Sequence, residues 1–220
     1  MKTPILFIKF GSKEHIEKLF YEGVLFLNTV DYFKKLESEQ GIRGDFLESA
    51  SELYNFYEKD KAILTINPKQ KDEIRMNITN AQMRQFHSYQ GNIFSLYSIF
   101  DNEKETQKIE FDKTLKNFGD TALIITDIND FLLRVGKKLK EKNFKFYWGD
   151  VDYYNAKEKS IKKLGIFNKS SDFQYQKEFR IYVKNPINEP LKIEIGSINE
   201  ISKLLKSEDL TKLKIERKKT

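Results

Sequence analysis

The stretch IFSLYSIF, residues 93–100, is rich in apolar side chains on both of the faces that a β-strand would present. Side chains of a strand point alternately to its two faces, so a strand that is apolar on both belongs in the interior of a sheet. We therefore expect residues 93–100 to form the central strand of the fold. The stretch TALII, residues 121–125, predicts a second fully buried strand for the same reason.

The first part of the chain, residues 1–50, predicts the order strand, helix, strand, helix. An apolar strand is expected at residues 5–10, Ser12 is suited to cap the helix that follows, and Gly23 is suited to end that helix. Thr29 predicts the start of the second helix.

The remainder, residues 62–220, predicts more strands than helices. Short strands are expected at residues 62–66, 74–78 and 175–183, and helices are expected after Asp127 or Asn129 and after Ser197. Strands that outnumber helices in this way favour an α+β fold over a doubly wound parallel sheet. We therefore predict a mixed or antiparallel sheet core with flanking helices.

Length and composition limit the class of protein. A chain of 220 residues, 39% of them hydrophobic, can bury one substantial core, so we expect a single domain spanning residues 1–220. The sequence has no cysteine and two histidines, which disfavours thiolate catalysis and zinc chemistry, and no metal-ligand set is predicted. It has no run of about 18 apolar residues, so we expect a cytoplasmic protein with no membrane partner.

The charge of the chain allows two interpretations. The formal net charge is +6 and the pI is about 9.1, with lysines denser in the second half. These lysines supply counter-charges for a phosphate-bearing partner such as nucleic acid. Alternatively, they form solvated faces that keep an aromatic-rich protein soluble.

The predicted strand at residues 175–183 carries the residues best suited to chemistry. Gln176 and Glu178 are two positions apart, so on a strand they project to the same face about 6–7 Å from each other, a spacing that suits two points on one sugar. A carboxylate beneath a ribose stabilises the oxocarbenium-like charge that develops when the leaving group departs. The alternative is that Glu178 forms an ion pair with Arg180 or a lysine on a solvated face.

Several motifs together resemble a widespread bacterial and phage family of uncharacterised domains related to ADP-ribosyltransferases. The motifs are a Lys-Phe-Gly-Ser turn at residues 9–12, Leu27-Asn28, Arg43-Gly44-Asp45, a serine-containing central strand and FQYQKEFRI at residues 173–181. The resemblance covers most of the chain and implies an ADP-ribosyltransferase-like fold. It also implies a toxin, defence or anti-defence protein of a bacterial or phage conflict system, with an antitoxin-like or defence-system protein as a possible partner.

The resemblance further implies an activity and the residues that perform it. NAD would be the substrate, its nicotinamide glycosidic bond would be broken, and ADP-ribose would pass to a macromolecule such as nucleic acid. The family's Gln-x-Glu element matches Gln176 and Glu178. Glu178 would be the essential catalytic group, and Gln176 would orient the ribose or the acceptor.

The resemblance also implies four residues that bind the cofactor. The family's Arg or His on the first strand is Lys9 in this sequence, and either Lys9 or Arg43 would contact the pyrophosphate. The family's Ser or Tyr on a central strand corresponds to Ser95, Tyr97 or Ser98. Ser95 would bind the ribose and Tyr97 would stack on nicotinamide.

Two other functions remain open at the level of sequence. Asp172, Gln174 and Lys177 faintly resemble the acid and lysine of Mg²⁺-dependent nucleases. The other possibility is a catalytically inert relative that binds a nucleotide or another protein.

Overall fold

The computed structural model of the chain describes residues 4–40, 50–86, 89–101, 106–157 and 161–216. It is an α+β structure with one sheet-rich body and mostly antiparallel strands. The α-helices of these residues are α1 (Lys13–Glu22), α2 (Val30–Gln40) and α3 (Ile128–Glu141). None of the helices in the described ranges is both long enough and apolar enough to span a membrane.

The strands are β1 (Pro4–Gly11), β2 (Val24–Thr29), β3 (Ala50–Tyr57), β4 (Ile63–Ile66), β5 (Ile74–Asn77), β6 (Asn80–Phe86), β7 (Gly91–Phe100), β8 (Thr106–Lys108), β9 (Thr121–Ile125), β10 (Lys145–Asp150), β11 (Asp152–Tyr154), β12 (Ile161–Lys162), β13 (Asn168–Ser170), β14 (Glu178–Lys184), β15 (Leu191–Glu194), β16 (Ser202–Lys206) and β17 (Lys214–Glu216). Short 3-10 helices lie at Glu58–Asp60, Lys113–Phe118, Ser171–Gln176, Asn199–Ile201 and Ser207–Lys212.

The main sheet runs in the order β10, β14, β7, β1, β9, β16, and all neighbours in it are antiparallel. Eight of the ten residues of β7 are buried, and so are all five residues of β9. The prediction that residues 93–100 form the central strand is therefore confirmed, as is the prediction of a buried strand at residues 121–125. Smaller sheets join β12, β3 and β6, then β4 and β5, β8 and β17, and the parallel pair β11 and β13.

The two faces of the main sheet bury different cores. On one face α1 and α3 pack over residues such as Phe7 and Ile181. On the other face Ile8 packs with Leu115 of the 3-10 helix Lys113–Phe118. Because Phe7 and Ile8 are neighbours on β1, the change of face follows the two-residue period of a strand.

The sheet is open along part of one edge of β7. On that edge β1 pairs with residues 97–100 of β7, whereas β2 pairs only with Asn92 and Ile93. Among the described residues, neither strand pairs with residues 94–96 on this side. β1 and β2 therefore diverge from each other at the middle of the central strand, and this opening positions the site described below.

The predicted N-terminal order of strand, helix, strand and helix is confirmed as β1, α1, β2 and α2. The amide of Tyr32 donates to Thr29 Oγ1 at 3.0 Å, which caps α2 as expected. The hydroxyl of Ser12 does not cap α1, because Ser12 Oγ contacts His15 Nδ1 at 2.8 Å instead. Gly23 ends α1 with φ 68°, and a Cβ at this position would lie 1.8 Å from the carbonyl oxygen of Gly196, so only glycine fits.

The helix predicted after Ser197 is wrong. Residues 199–201 form one short 3-10 helix, and β16 follows and pairs with β9. Leu204 packs against the core under α1 and α3, whereas Leu205 packs against the opposite core. Adjacent residues that face opposite sides have the period of a strand, so the open edge of β9 decided the structure of this segment.

Candidate functional site

A cavity of about 1060 Å³ lies at the opening between β1 and β2. This volume is at the upper end of the range for small-molecule sites, which is about 300–1000 Å³. The residues that line it include five of the six singled out from the sequence, namely Lys9, Ser95, Tyr97, Gln176 and Glu178. The sixth, Arg43, lies outside the described residues.

Glu178 is the first residue of β14 and is buried, with 9% of its surface exposed. Lys169 Nζ donates to its Oε1 at 2.6 Å, and Arg180 Nε donates to its Oε2 at 2.8 Å. Its backbone amide donates to the hydroxyl oxygen of Tyr153 at 2.8 Å. The expected partner Arg180 is therefore present, but the ion pair lies in a buried cluster rather than on a solvated face.

The Glu178 carboxylate is held in its ionised form. Burial raises its pKa, but the charges of Arg180 and Lys169 and their hydrogen bonds outweigh burial, so the pKa lies below the ordinary value for glutamate. The Tyr153 hydroxyl is affected in the opposite sense, because burial and the nearby charge of Glu178 raise its pKa. The cluster thus combines an ionised carboxylate with a neutral phenol.

Gln176 reaches the same cluster by a different route from the one predicted. The strand expected at residues 175–183 begins only at Glu178, because Gln176 ends the 3-10 helix Ser171–Gln176 and Lys177 takes a left-handed conformation with φ 40°. The prediction that Gln176 and Glu178 lie on one strand and project to the same face is therefore wrong. The two side chains nevertheless converge, since Lys169 Nζ also donates to Gln176 Oε1 at 2.6 Å.

The rest of β14 has the predicted alternation. Phe179, Ile181 and Val183 belong to the core under the helices. Arg180 is on the same face as Glu178 and donates from Nη1 to the carbonyl oxygen of Ile166 at 2.6 Å. Both faces of the strand are buried, one by apolar packing and the other by the polar cluster.

Lys9 contacts the edge of β7 at the opening of the sheet. Its Nζ donates to the carbonyl oxygen of Ser95 at 2.8 Å and lies 4.1 Å from the centre of the Phe94 ring. The Ser95 carbonyl belongs to the part of the edge that β1 and β2 leave unpaired. Lys9 therefore satisfies a backbone acceptor at the border of the cavity.

Ser95 and Tyr97 lie on β7 directly opposite the cluster on β14. In the strand register Ser95 is paired with Arg180, and Tyr97 is paired with Glu178. The Tyr97 ring packs against Phe10 and Phe111, and burial, followed by the charge of Asp112, raises the pKa of its hydroxyl to about 12. Tyr97 is thus a largely packed wall of the cavity with a neutral hydroxyl.

Ser98, which was an alternative to Ser95, faces away from this cluster. Its hydroxyl donates to Asp150 Oδ1 at 3.4 Å, and it is not among the residues that line the cavity. Burial raises the pKa of Asp150, and the hydrogen bond from Ser98 opposes that shift. Ser95 and Tyr97 are therefore the central-strand residues that border the site.

Lys169 is the site residue that the sequence did not reveal. It lies on β13, is 3% exposed, and its Nζ is 5.0 Å from the centre of the Phe173 ring. The surrounding segment is polar, a composition typical of a surface loop or short helix rather than of a buried strand. The sequence contains one indication, because a buried glutamate requires a cationic partner. Arg180, two residues away, already supplies such a partner, so no second cation was expected.

Comparisons of the chain with models of protein families, with curated proteins and with solved structures gave no match. The function of the cavity is therefore argued from its own residues.

Proposed function

We propose that this chain is an ADP-ribosyltransferase-like protein that binds NAD in the cavity at the opening of the sheet. The observation that carries the proposal is that Gln176 and Glu178 meet at the cavity, beside Ser95 and Tyr97 on the neighbouring strand. A carboxylate, an amide, a hydroxyl and an aromatic ring bordering one large cavity suit recognition of a ribose and a flat heterocycle.

The proposed reaction replaces one bond at the anomeric carbon of the ribose. The bond to the nicotinamide nitrogen breaks, its electron pair stays with that nitrogen, and neutral nicotinamide leaves. Positive charge grows at the anomeric carbon, where the ionised Glu178 stabilises it. A nucleophile of the acceptor then forms the new bond and loses a proton, so Glu178 must exchange part of its contact with Lys169 or Arg180 for the ribose.

The acceptor proposed is a macromolecule, with nucleic acid suggested by basic residues. Lys137, Lys140 and Lys142 at the end of α3 and Lys145 at the start of β10 are all exposed. Such residues can contact phosphates without sequence preference. A role in a bacterial or phage conflict system, with an antitoxin-like or defence-system protein as partner, forms part of this proposal and rests on the motifs of the sequence.

A second candidate is a relative that binds a nucleotide without turning it over. The observation that favours it is that both oxygens of Glu178 are bound by cations, Oε1 by Lys169 and Oε2 by Arg180. A carboxylate that is neutralised on both oxygens stabilises a developing positive charge less than an uncommitted one. Both candidates bind a nucleotide in the cavity, but only the transferase breaks the nicotinamide glycosidic bond of NAD.

Nicotinamide release from NAD separates the two candidates. Wild type should release nicotinamide, and Glu178→Gln should reduce the rate about 100-fold or more, the usual effect of losing one electrostatic contact to a transition state. Glu141→Gln is the matched control, because Glu141 pairs with Lys138 on the surface of α3. Glu178→Asp is a second variant in case Glu178→Gln is unstable. It retains the negative charge but shortens the side chain by one methylene, so it should also release nicotinamide more slowly than wild type.

Two results would contradict the enzymatic proposal. NAD binding without nicotinamide release by wild type would leave the binding-only candidate. Absence of NAD binding by folded wild type would remove the transferase and would leave the second candidate only with a nucleotide other than NAD.

A further inference from the structure

Two aromatic side chains at the β2 end of the cavity are exposed although they line it. Phe26 on β2 is 48% exposed, and Tyr32 on α2, the helix that directly follows β2, is 42% exposed. The other aromatic residues described in the lining are partly or fully buried, namely Phe10, Phe33, Phe94, Tyr97 and Phe118. An exposed aromatic ring in a cavity offers a flat apolar surface on which another flat ring can stack.

The alternation of β2 directs Phe26 toward the site. Leu25 and Leu27 are buried in the core under α1 and α3, so Phe26 projects to the opposite face. Phe179 of β14 belongs to that same core, so its neighbour Glu178 also projects to the opposite face. β15 pairs with β2 along Val24–Leu27 and holds the strand at its other edge. Phe26 and Glu178 therefore border the cavity from the same face of the sheet.

The central strand separates Phe26 from Glu178. Asn28 of β2 pairs with Ile93 of β7, so Phe26, two residues back along β2, is level with Ser95 across the gap. Glu178 lies on β14, at the other edge of β7. Because adjacent strands are about 4.8 Å apart, the backbones of Phe26 and Glu178 are about 10 Å or more from each other. A ligand that contacts both residues must therefore be extended.

From the exposed ring and this separation we infer that Phe26 stacks on the adenine ring of NAD. A dinucleotide has a flat heterocycle at each end of a pyrophosphate bridge, so it can place one ribose at Glu178 and its adenine at Phe26. The cavity volume of about 1060 Å³ is large enough for a ligand of this size. The inference rests on the proposed function in taking NAD as the ligand, and it adds a contact that the motifs of the sequence do not indicate.

The test compares ADP-ribose with ribose 5-phosphate, which corresponds to ADP-ribose without its AMP half. Neither compound contains nicotinamide, so a transferase does not cleave the bond in question during the measurement. By isothermal titration calorimetry, wild type should bind ADP-ribose about tenfold more tightly than ribose 5-phosphate, or better. Phe26→Ala should lose about fivefold or more in ADP-ribose affinity, the effect of removing one stacked base, and should bind ribose 5-phosphate like wild type.

Tyr147→Ala is the matched control. Tyr147 on β10 is 47% exposed, close to the value for Phe26, but it is not among the described residues that line the cavity. This variant should bind both compounds like wild type.

Phe26→Trp is a second variant that keeps a flat ring and should retain the ADP-ribose affinity. The added indole also reports on stacking, so its fluorescence should be quenched by ADP-ribose and not by ribose 5-phosphate. Wild type is the reference, because its single tryptophan, Trp148, is not among the described residues of the lining and should not respond to either compound.

Four results would overturn the inference. They are unchanged ADP-ribose affinity in Phe26→Ala, equal losses of affinity for both compounds in that variant, no quenching in Phe26→Trp, and no binding of ADP-ribose to wild type.

These outcomes are separate from the fate of the proposed enzyme. ADP-ribose binding that depends on Phe26, without nicotinamide release by wild type, would uphold the stacking contact and contradict the transferase. Nicotinamide release that is lost in Glu178→Gln, together with unchanged ADP-ribose affinity in Phe26→Ala, would do the reverse.

Discussion

At the residue scale, Glu178 has two properties that oppose each other. Its ion pairs with Lys169 and Arg180 keep it charged inside the protein, which a catalytic carboxylate needs. The same ion pairs occupy both of its oxygens, which weakens its effect on a developing positive charge.

The lowered pKa of Glu178 predicts how stability depends on pH. An unfolded glutamate titrates near pH 4.3, whereas the folded carboxylate titrates lower, so between these values the unfolded chain binds more protons. The contribution of Glu178 to stability is therefore complete above about pH 5 and is lost as the pH falls toward the folded pKa. Urea unfolding measured from pH 7 downward should show this decline.

The comparison variant is Glu178→Gln, which cannot titrate at this position. Its unfolding free energy should have a smaller slope against pH below pH 5, by up to about 1.4 kcal/mol per pH unit, the value for one proton. Glu141→Gln should follow the wild-type slope at high salt, because the pair of Glu141 with Lys138 is on the surface. Identical slopes for wild type and Glu178→Gln would contradict the assigned environment of the carboxylate.

At the element scale, the turn between the 3-10 helix Ser171–Gln176 and β14 aims the two site residues. Lys177 has φ 40°, a left-handed conformation that is unfavourable for residues with a Cβ. The amide of Ser98 donates to the carbonyl oxygen of Lys177 at 2.8 Å, which fastens the turn to the central strand. This contact holds Gln176 and Glu178 in place although only Glu178 is on the strand.

Substitution of Lys177 tests the turn. Lys177→Val should destabilise the fold by about 1–2 kcal/mol, because a β-branched residue is disfavoured in the left-handed region. Lys177→Gly should be neutral or slightly stabilising, since glycine tolerates this conformation. The measurement is urea unfolding, with Lys184→Val on the exposed end of β14 as control. Equal stability of the valine and glycine variants of Lys177 would show that the turn is not left-handed in solution.

The success of sequence-based prediction differed between elements for physical reasons. The central strand was predictable because IFSLYSIF is apolar on both faces, and few other elements allow that pattern. The segment after Ser197 was not, because Ile198, Ile201, Leu204 and Leu205 fit helical spacing. Only the free edge of β9 made this segment a strand.

The site was predictable in its residue types but not in its contacts. The Gln-x-Glu element pointed to Gln176 and Glu178 without any knowledge of the turn between them. The contacts of Lys169 could not be predicted. Its ammonium reaches both Gln176 and Glu178 only because the chain turns between them at Lys177, a non-glycine residue in a left-handed conformation. Local periodicity contains no information about such a turn.

At the scale of the whole molecule, the proposed function depends on where the sheet opens. β1 and β2 pair with opposite ends of β7, and the gap between them exposes the middle of the central strand to the cavity. β14 is hydrogen-bonded to the other edge of β7 and presents the polar cluster beside that gap. The gap and the polar cluster are therefore both positioned by strands of one sheet, as precise positioning of reacting groups requires.

The central claim is that this cavity binds NAD with its ribose at Glu178, and a crystal structure of the protein soaked with NAD tests it most directly. We expect density for the dinucleotide between β1 and β2, with a ribose hydroxyl within hydrogen-bonding distance of the Glu178 carboxylate. An empty cavity at NAD concentrations that saturate the protein in solution, or NAD bound elsewhere on the molecule, would contradict the claim.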